Sequence, residues 1–432
     1  MATPAVATSA TLEHDATPKR TFKTTLLHAL SKTWAFVKKW WLPLNFLVAL
    51  LVALLAPAPG KAVVSVTAGP FRLVEMINII IVFFISGLTL NTADLSAAKK
   101  HWVGILFGIV TIIAITPTLG FAITSINFQP PEFGAGLAVF AVAPTTLGVG
   151  AALVRSCKGN DALALFLMTL TSLISVFTMP PWLTAIVGGG NSQYNLNFNM
   201  GQMFWQLIVT LLVPSVLGKA LRELWPAAKR FAQKYKEYLG MFAVTNLAFI
   251  VWQTLSGAQS ELVEQSFVNI VYIIIAAVVQ HLIYLAFNAL ILLTVIRMPI
   301  EHGVAVWIMG SQKSAPVAVT VITYMTTDVA TQGLLSLPCV IGQLIQIFMG
   351  SAFAPFMAKR VTRIKAERAK EGADGGVGGG SANGKDVEEK LGLERVDSSA
   401  ETIEKSSATS STGAANGLVG VVLSPKTIDA AV

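Results

Sequence analysis

The segment from Gly303 to Tyr324, GVAVWIMGSQKSAPVAVTVITY, restricts the fold of this chain more than any other stretch. It is long and apolar enough to cross a membrane, but its centre is the polar heptapeptide GSQKSAP at residues 310–316. A lysine near the middle of a bilayer costs roughly 2.5–3.5 kcal/mol, so it is kept only where it faces protein, water or a ligand. Lys313 therefore predicts an internal polar site.

Pro316 predicts that this helix is interrupted. A proline removes an amide donor and clashes with the preceding turn, so we expect the helix to end near Gly310 and to restart near Pro316. Irregular backbone at membrane depth is tolerated only where it is buried in protein or lines a cavity. We interpret the interruption as the centre of a transport site. The candidate substrate-binding or ion-binding residues here are Ser311, Gln312, Lys313 and Ser314.

The composition places the whole chain in the lipid bilayer. Of 432 residues, 54% are hydrophobic and only 12% are charged, and the mean hydropathy is +0.65. These values predict an all-α polytopic membrane protein. The net charge of +8 does not indicate a nucleic-acid partner, because the basic residues stand in short blocks beside apolar runs. We expect no disulfide between Cys157 and Cys339.

Ten apolar segments are long enough to cross the hydrocarbon core. We place them near residues 42–57, 73–91, 102–125, 134–154, 161–187, 203–221, 239–256, 268–296, 303–325 and 333–357. This predicts a leader over 1–40, five helices in 41–187, five more in 188–357 and a tail over 358–432. Five crossings in each half allow the second half to be an inverted repeat of the first.

The distribution of basic residues predicts the orientation. Lysine and arginine gather in the leader, in alternate loops and after residue 358, whereas the other loops hold only Lys61 and Arg72. The positive-inside rule therefore puts both termini in the cytoplasm. The leader is either an amphipathic helix on the lipid surface or a solvated basic tail. A plastid transit peptide is not excluded, so both the plasma membrane and an organelle such as the plastid envelope stay open.

A second interruption is expected in the fourth segment, which reads GLAVFAVAPTTLGVGAALV. Under an inverted repeat it corresponds to the ninth segment, and two interrupted helices at matching places are a strong pointer to a transporter substrate site. Pro144 is the predicted break. The candidate binding residues are Thr145, Thr146, Gly148 and Gly150.

Other polar residues have structural alternatives. We interpret Gln280, His281 and Asn288 in the eighth segment as interhelical contacts rather than ligands, and Gln343 and Gln346 in the tenth segment in the same way.

Asp161 is expected to cap the fifth segment. Lys313 could also extend to one face of the membrane, the threonines could bond to nearby carbonyls, and the residues around Gln312 could simply cap the broken helix. No intramembrane catalytic set is present, so we do not expect an enzyme.

The tail differs from the rest of the chain. Residues 371–432 are rich in glycine, serine, alanine, glutamate and lysine, with almost no aromatic side chains. Such a composition cannot bury enough apolar surface to fold, so we expect disorder there.

Several short sequence motifs resemble those of one transporter superfamily. They are FFISGLTL (83–90), PTTLGVGAAL (144–153), GNDALAL (159–165), FNAL (287–290), SQKSAPV (311–317) and GLLSLPCV (333–340). They resemble the bile acid:sodium symporter superfamily, in the branch of the plastid BASS carriers and the vertebrate seventh-type sodium/bile acid cotransporter. The resemblance implies ten helices in two inverted repeats. It implies a panel domain from helices one, two, six and seven, a core domain from the others, and discontinuous fourth and ninth helices that cross near the ion and substrate sites.

The resemblance carries over the sodium ligands only in part. The acidic side chain that precedes the ninth-helix crossover in the family matches Ile308 and Met309, and its Ser-Asn pair matches Gly150 and Ala151. Gln312 remains as a ligand for sodium. The hydroxyls that the family places in the fifth helix fall on Ala164 and Met168, and Thr169, Thr171 and Ser172 are close by.

Lys313 brings a positive charge to the place where relatives bind sodium. It would repel a neighbouring cation, so we hypothesise that its ammonium group either replaces the ion or carries a proton. Sodium or a proton is then the coupling ion, and no other cofactor is expected.

Together these features predict a secondary transporter that moves a small organic, anionic solute by alternating access. The alternative is a membrane regulator of calcium homeostasis that transports no organic solute. The substrate and the oligomeric state are open at this stage.

Overall fold

A computed structural model describes residues 33–34, 37–38, 40–68, 71–90, 102–146, 149–188, 199–296 and 298–374. Most of the predicted leader, most of the predicted tail and Gly148 lie outside these residues. The helices are α1 Trp41–Leu55, α2 Pro57–Val64, α3 Leu73–Thr89, α4 Trp102–Thr124, α5 Pro131–Val142, α6 Val149–Ser156, α7 Asp161–Ile186, α8 Met200–Leu224, α9 Pro226–Lys234, α10 Lys236–Gly257, α11 Gln259–Val263, α12 Phe267–Thr294, α13 Ile300–Ser311, α14 Ala315–Met325 and α15 Val329–Asp374.

The chain is an integral membrane protein. Six helices in its described part, α4, α7, α8, α10, α12 and α15, are long and apolar enough to span a membrane, and the bent pair α1–α2 brings the number to seven. Two shorter apolar helices are α3 and α5. All of these coincide with segments predicted from hydropathy.

The first predicted segment is not one straight helix. It bends by 96° between α1 and α2. Pro57 explains the bend, because a proline disfavours helical backbone in the residue before it, and Ala56 has φ −136° and ψ 67°. The chain then continues as a helix to Val64, beyond the predicted end at residue 57.

Two further differences concern elements that hydropathy does not report. A two-stranded antiparallel hairpin, β1 Thr67–Ala68 and β2 Phe71–Arg72, is a small exception to the all-helical expectation. The last helix, predicted to end near 357, runs from Val329 to Asp374, so its last four residues, 371–374, belong to the stretch that we expected to be disordered. The chain divides into a unit from Met1 to Thr362 and a second from Arg363 to Val432.

Helix α5 lies at the centre of the first unit. Its residues from Phe133 to Val142 are all buried, which fits their uniformly apolar and mostly small side chains. A large apolar cluster surrounds α5, and a second cluster packs around α13. Both interrupted segments are therefore enclosed by protein rather than lipid, as irregular backbone requires.

Small residues let α3 and α8 approach closely. A Cβ atom on Gly218 would meet the backbone oxygen of Phe84 and would lie 2.9 Å from the backbone nitrogen of Leu88, while a Cβ atom on Gly87 would meet the backbone oxygen of Ser215. Because backbone atoms cannot swing aside, only glycine fits at these crossings.

We expect Gly218→Ala to lower the stability of the folded protein by about 1–3 kcal/mol, because the added methyl group forces α3 and α8 apart. Gly240→Ala is the matched control, since a Cβ atom there meets nothing within 4 Å. In that position alanine favours the helix by up to about 1 kcal/mol. Thermal unfolding midpoints in detergent check the pair, and equal midpoints for both variants would contradict the close packing.

Candidate functional site

Both predicted interruptions are present. Helix α5 ends at Val142 and α6 begins at Val149, while α13 ends at Ser311 and α14 begins at Ala315. Pro144 lies between the first two helices, and Pro316 is the second residue of α14, where its missing amide leaves no hydrogen bond unmade. Gly310 is the penultimate residue of α13, so that helix runs one residue beyond the predicted end.

The two interruptions bond directly to each other. The amide of Ser314 donates to the Pro144 carbonyl at 2.9 Å, and the hydroxyl of Thr145 donates to the Met309 carbonyl at 2.7 Å. The ammonium group of Lys313 donates to the Ala143 carbonyl at 2.8 Å. The broken backbone of one half of the chain is thus completed by the other half. We call residues 143–146 together with 309–315 the crossover.

Lys313 is 0% exposed and does not extend to either membrane face. Besides the Ala143 carbonyl, its ammonium group donates to the Ile112 carbonyl at 3.1 Å. It also lies 5.9 Å from the ring centre of Tyr284, close enough for a cation–π interaction. Two carbonyl oxygens and one aromatic face therefore hold the ammonium group.

Helix α4 can offer the Ile112 carbonyl because its turn Thr111–Ile115 is π-helical. A π turn shifts the hydrogen-bond register and leaves carbonyl groups available to side chains. The Ile113 carbonyl in the same turn accepts the indole N–H of Trp182 at 3.0 Å. Hydropathy cannot reveal such a turn, so the sequence predictions missed this part of the Lys313 environment.

Two glutamines of α15 complete the crossover. Oε1 of Gln346 accepts the amide of Lys313 at 2.8 Å, and Oε1 of Gln343 accepts the amide of Ala315 at 3.0 Å. With Ser314 bonded to Pro144, the amides of Lys313, Ser314 and Ala315 all have protein acceptors. In this arrangement those three amides bond within the protein, and side chains from the tenth segment accept two of them.

The spacing of these glutamines is a usable sequence signal. Residues 343 and 346 are three apart and so share one face of a helix, inside an otherwise apolar segment. We interpreted them as interhelical contacts, which they are, but they also fix the backbone beside Lys313.

Helix α12 holds the end of α13. Nδ1 of His281 lies 3.1 Å from the Ser311 carbonyl, and the amide group of Asn288 donates to the Ser311 hydroxyl at 3.3 Å. The Ser311 hydroxyl itself donates to the Trp307 carbonyl one turn earlier in its own helix. A Cβ atom on Gly310 would lie 2.7 Å from Oδ1 of Asn288, which explains glycine there. His281 and Asn288 therefore act as interhelical contacts, as the sequence suggested.

In this arrangement the described residues around Gln312 offer few oxygen ligands. The side-chain nitrogen Nε2 of Gln312 donates to the backbone carbonyl of Gln346 at 3.3 Å. The side-chain oxygen Oε1 of Gln312 has no hydrogen-bond partner among the described residues. The adjoining cavity of about 20 Å³, lined by Gln312 and His281 among others, has room for one water molecule. One amide oxygen without a carboxylate is a poor match for a hard cation that prefers several oxygen ligands.

Thr146 is part of the crossover, and Gly150 lies beside it. Both are buried, and a Cβ atom on Gly150 would lie 2.7 Å from Sδ of Met309. Gly150 thus makes room for α13. Ser314 is buried and its hydroxyl has no partner among the described residues.

Thr169 belongs to a different place. It lines a cavity of about 260 Å³ between α3, α7 and α8, and its hydroxyl donates to the Leu165 carbonyl. We call this space the inter-helix cavity. Its polar and charged lining residues are Ser86, Thr169, Ser172, Ser215, Lys219 and Glu223. The residues predicted for a single site therefore divide between the crossover and this cavity.

Asp161 does not cap α7 as we expected. Asn160 is the capping residue, and its side chain accepts the amide of Leu163 at 2.9 Å. Asp161 instead pairs with Arg155 at 2.7 Å. Both residues are acceptable caps, and the helix begins one residue earlier than the carboxylate would require.

Two interrupted helices that cross inside an apolar bundle and share a buried ammonium group are the architecture of a membrane transporter. The model of the SBF-like CPA transporter family matches residues 40–359, which includes every element described above except the last turns of α15. The chain therefore belongs to this family, and it is a transporter rather than an enzyme.

Relatives with curated descriptions agree with that family. The chain is 33% identical over 285 residues to the "Probable sodium/metabolite cotransporter BASS4, chloroplastic" of Arabidopsis thaliana, with 65% of each chain covered. It is 30% identical over 335 residues to the protein of the same description from Oryza sativa subsp. indica, covering 75% of this chain and 77% of the relative. It is 26% identical over 353 residues to "Sodium/bile acid cotransporter 7" of Rattus norvegicus, covering 77% and 97%.

Proposed function

We propose that this chain is a secondary carrier that moves a small organic anion across a membrane by alternating access. The crossover carries the proposal: broken backbone from two distant parts of the chain meets inside the protein and shares one buried positive charge. Such paired interruptions mark the working centre of secondary transporters.

The span count supports ten crossings in two inverted five-helix repeats. The six long helices, the bent pair α1–α2, the shorter α3 and the broken pairs α5–α6 and α13–α14 add up to ten, in the predicted order. The broken pairs are then the fourth and ninth crossings. On this assignment α3 and α8 belong to the panel domain and α7 to the core domain.

The inter-helix cavity is the proposed substrate site. It lies between panel helices α3 and α8 and core helix α7, where a rocking motion of one domain against the other would open and close it. Its walls are apolar with four hydroxyl side chains, which suits a solute with an apolar body and a polar group.

Lys219 supports an anionic solute. It lines one end of this cavity, where its ammonium group bonds to Glu223 at 2.5 Å and to the Leu90 carbonyl at 3.2 Å. A carboxylate or sulfonate on the solute could replace Glu223 on this ammonium group. Both termini are proposed to be cytoplasmic from the basic loops, which makes the Lys219 end of the cavity the cytoplasmic end.

We infer that Lys313 supplies permanently the positive charge that a sodium ion supplies in relatives. The relatives are described as sodium cotransporters, but here an ammonium group occupies two backbone carbonyls at the crossover and the described residues around Gln312 offer no carboxylate. A sodium ion at the same place would be repelled by the ammonium charge. Coupling to sodium at the crossover is therefore not expected.

Counterflow in proteoliposomes tests the carrier and its ion requirement. We expect exchange of at least one organic anion in a broad screen, and we expect this flux to persist when sodium is replaced by potassium or choline. Absence of flux for every solute would favour a regulatory membrane protein. A strict sodium requirement that survives Lys313→Ala would remove Lys313 from ion coupling.

A further inference from the structure

A second charge is buried far from the crossover along the chain. Glu75, in the first turn of α3, is 2% exposed. Neither of its carboxylate oxygens has a hydrogen-bond partner among the described residues. An ionised carboxylate in such a place is costly, because it has lost its hydration and has gained no donor. The crossover and the inter-helix cavity make no use of this group.

One cation stands beside Glu75 without bonding to it. Nη1 of Arg72 lies 4.0 Å from Oε2 of Glu75, beyond hydrogen-bond distance, and also has no partner in the described part of the chain. The other guanidinium nitrogen, Nη2, donates to the Thr327 carbonyl at 3.3 Å. Arg72 is thus held by the connection between α14 and α15 while its second nitrogen stays available for Glu75.

Asp328, in the same connection, attracts Arg72 electrostatically. The hydroxyl and amide of Thr331 donate to Asp328 and hold the pKa of its carboxyl below the ordinary value. This carboxylate therefore stays ionised across the physiological range and competes with Glu75 for Arg72.

The remaining elements around α3 leave Glu75 with few other charged neighbours. Tyr324 of α14 is within electrostatic reach, and its hydroxyl donates to Thr210 of α8. Residues 239–257 of α10 contain no ionisable side chain, and Lys61 of α2 is exposed. The charged groups of α8 that touch α3 lie at its opposite end: Lys219 bonds to Leu90, and Arg222 bonds to Leu88, next to Glu223 and the basic residues Lys229, Arg230 and Lys234 of α9.

We propose that Glu75 is a proton-binding site of this carrier. In the arrangement described, Arg72 is bound to the α14–α15 connection and the Glu75 carboxyl carries the proton. When that connection moves away, Arg72 turns to Glu75, the carboxyl releases its proton to water, and the carboxylate takes two N–H donors from the guanidinium. One proton is bound or released at each change, and no other bond is made or broken.

The position of Glu75 links this proton to transport. Helix α3 carries Glu75 at its first turn, and at its other end it lines the inter-helix cavity with Phe83, Ser86 and Gly87. Arg72 reaches from the start of α3 to a part of the chain assigned to the other domain. A change of partner by Arg72 would therefore accompany the domain motion that exposes the cavity. This coupling rests on the proposed carrier function, whereas the binding of a proton by Glu75 does not.

Infrared difference spectroscopy on the purified full-length protein tests proton binding without a substrate. We expect a pH-sensitive C=O band of a buried carboxylic acid that is lost in Glu75→Gln and retained in Glu264→Gln, which changes an exposed glutamate. The Arg72→Gln variant should keep the band to a higher pH than the wild type. The guanidinium group, which favours the ionised form of Glu75, is absent from this variant. A band that survives Glu75→Gln, or the absence of any such band in the wild type, would overturn the proposal.

The pH profile of counterflow tests the coupling. We expect Glu75→Gln to flatten the profile, Glu75→Asp to restore part of it and Glu264→Gln to leave it unchanged. An unaltered profile in Glu75→Gln would overturn the coupling. Flux absent from every variant, together with a normal infrared band, would instead count against the carrier function alone.

Discussion

Lys313→Met will reduce organic-anion flux by at least about tenfold. The methionine keeps the length of the side chain but removes the donors for the Ile112 and Ala143 carbonyls and the cation beside Tyr284. Hydrogen bonds from charged groups are worth about 1.5–3 kcal/mol each, and about 1.4 kcal/mol corresponds to a factor of ten. Counterflow in proteoliposomes at matched protein density measures the effect.

Lys229→Met is the control for this variant, because it removes a lysine that is exposed on α9. It should transport as the wild type does. Thermal unfolding of both variants in detergent separates a transport defect from misfolding, since the loss of a buried ammonium group also removes its desolvation cost. Wild-type flux in Lys313→Met would place the lysine in the scaffold and would remove the main support for its role as an internal cation.

Thr169→Trp will abolish flux while leaving the fold intact. Thr169 lines the inter-helix cavity of about 260 Å³, and an indole group there would fill a large part of the space proposed for the solute. The side chain points into existing space, so little repacking is needed. The loss should exceed tenfold at any solute concentration, because the variant blocks the site rather than weakening one contact.

Phe177→Trp is the matched control on the same helix. Phe177 is 50% exposed and packs on Phe204 with ring centres 5.5 Å apart, outside this cavity. The same residue, tryptophan, should be tolerated at position 177 with unchanged flux. Normal transport by Thr169→Trp would show that the solute does not pass through this cavity and would redirect attention to the crossover.

The two places have different tasks in this arrangement. At the crossover, the broken backbone from Ala143 to Thr145 and from Met309 to Ala315 is hydrogen-bonded within the protein. The inter-helix cavity is open and lined by side chains from helices assigned to both domains. Thr169, which is close to the fifth-helix positions that the family resemblance implies for sodium, lines the inter-helix cavity.

Much of the crossover could be predicted from the sequence. A lysine and a proline within an apolar stretch are costly in a membrane, so GSQKSAP indicated both the break and an enclosed polar site, and Pro144 indicated the matching break. The contacts of His281 and Asn288 also followed, because residues seven apart share one face of a helix. These are local properties of the chain.

Other features could not be predicted because they depend on neighbours distant in sequence. Hydropathy does not distinguish the π turn at Ile112 from an ordinary helical turn, and it does not show that Gln343 and Gln346 would occupy the amides of α14. The apolar run from 73 to 91 indicated a span, but not that Glu75 would have no hydrogen-bond donor among the described residues.

The sequence by itself determined that this chain is a polytopic membrane protein with two interrupted helices and a lysine between apolar runs. Polar groups are costly in lipid, so their positions within apolar runs indicate where the chain must enclose them. Only the tertiary structure decided which groups satisfy that lysine, where the cavity lies and which carboxylate has no donor among the described residues. Those outcomes depend on distances between residues that are separated by about 30 to 250 positions, and no local pattern encodes such distances.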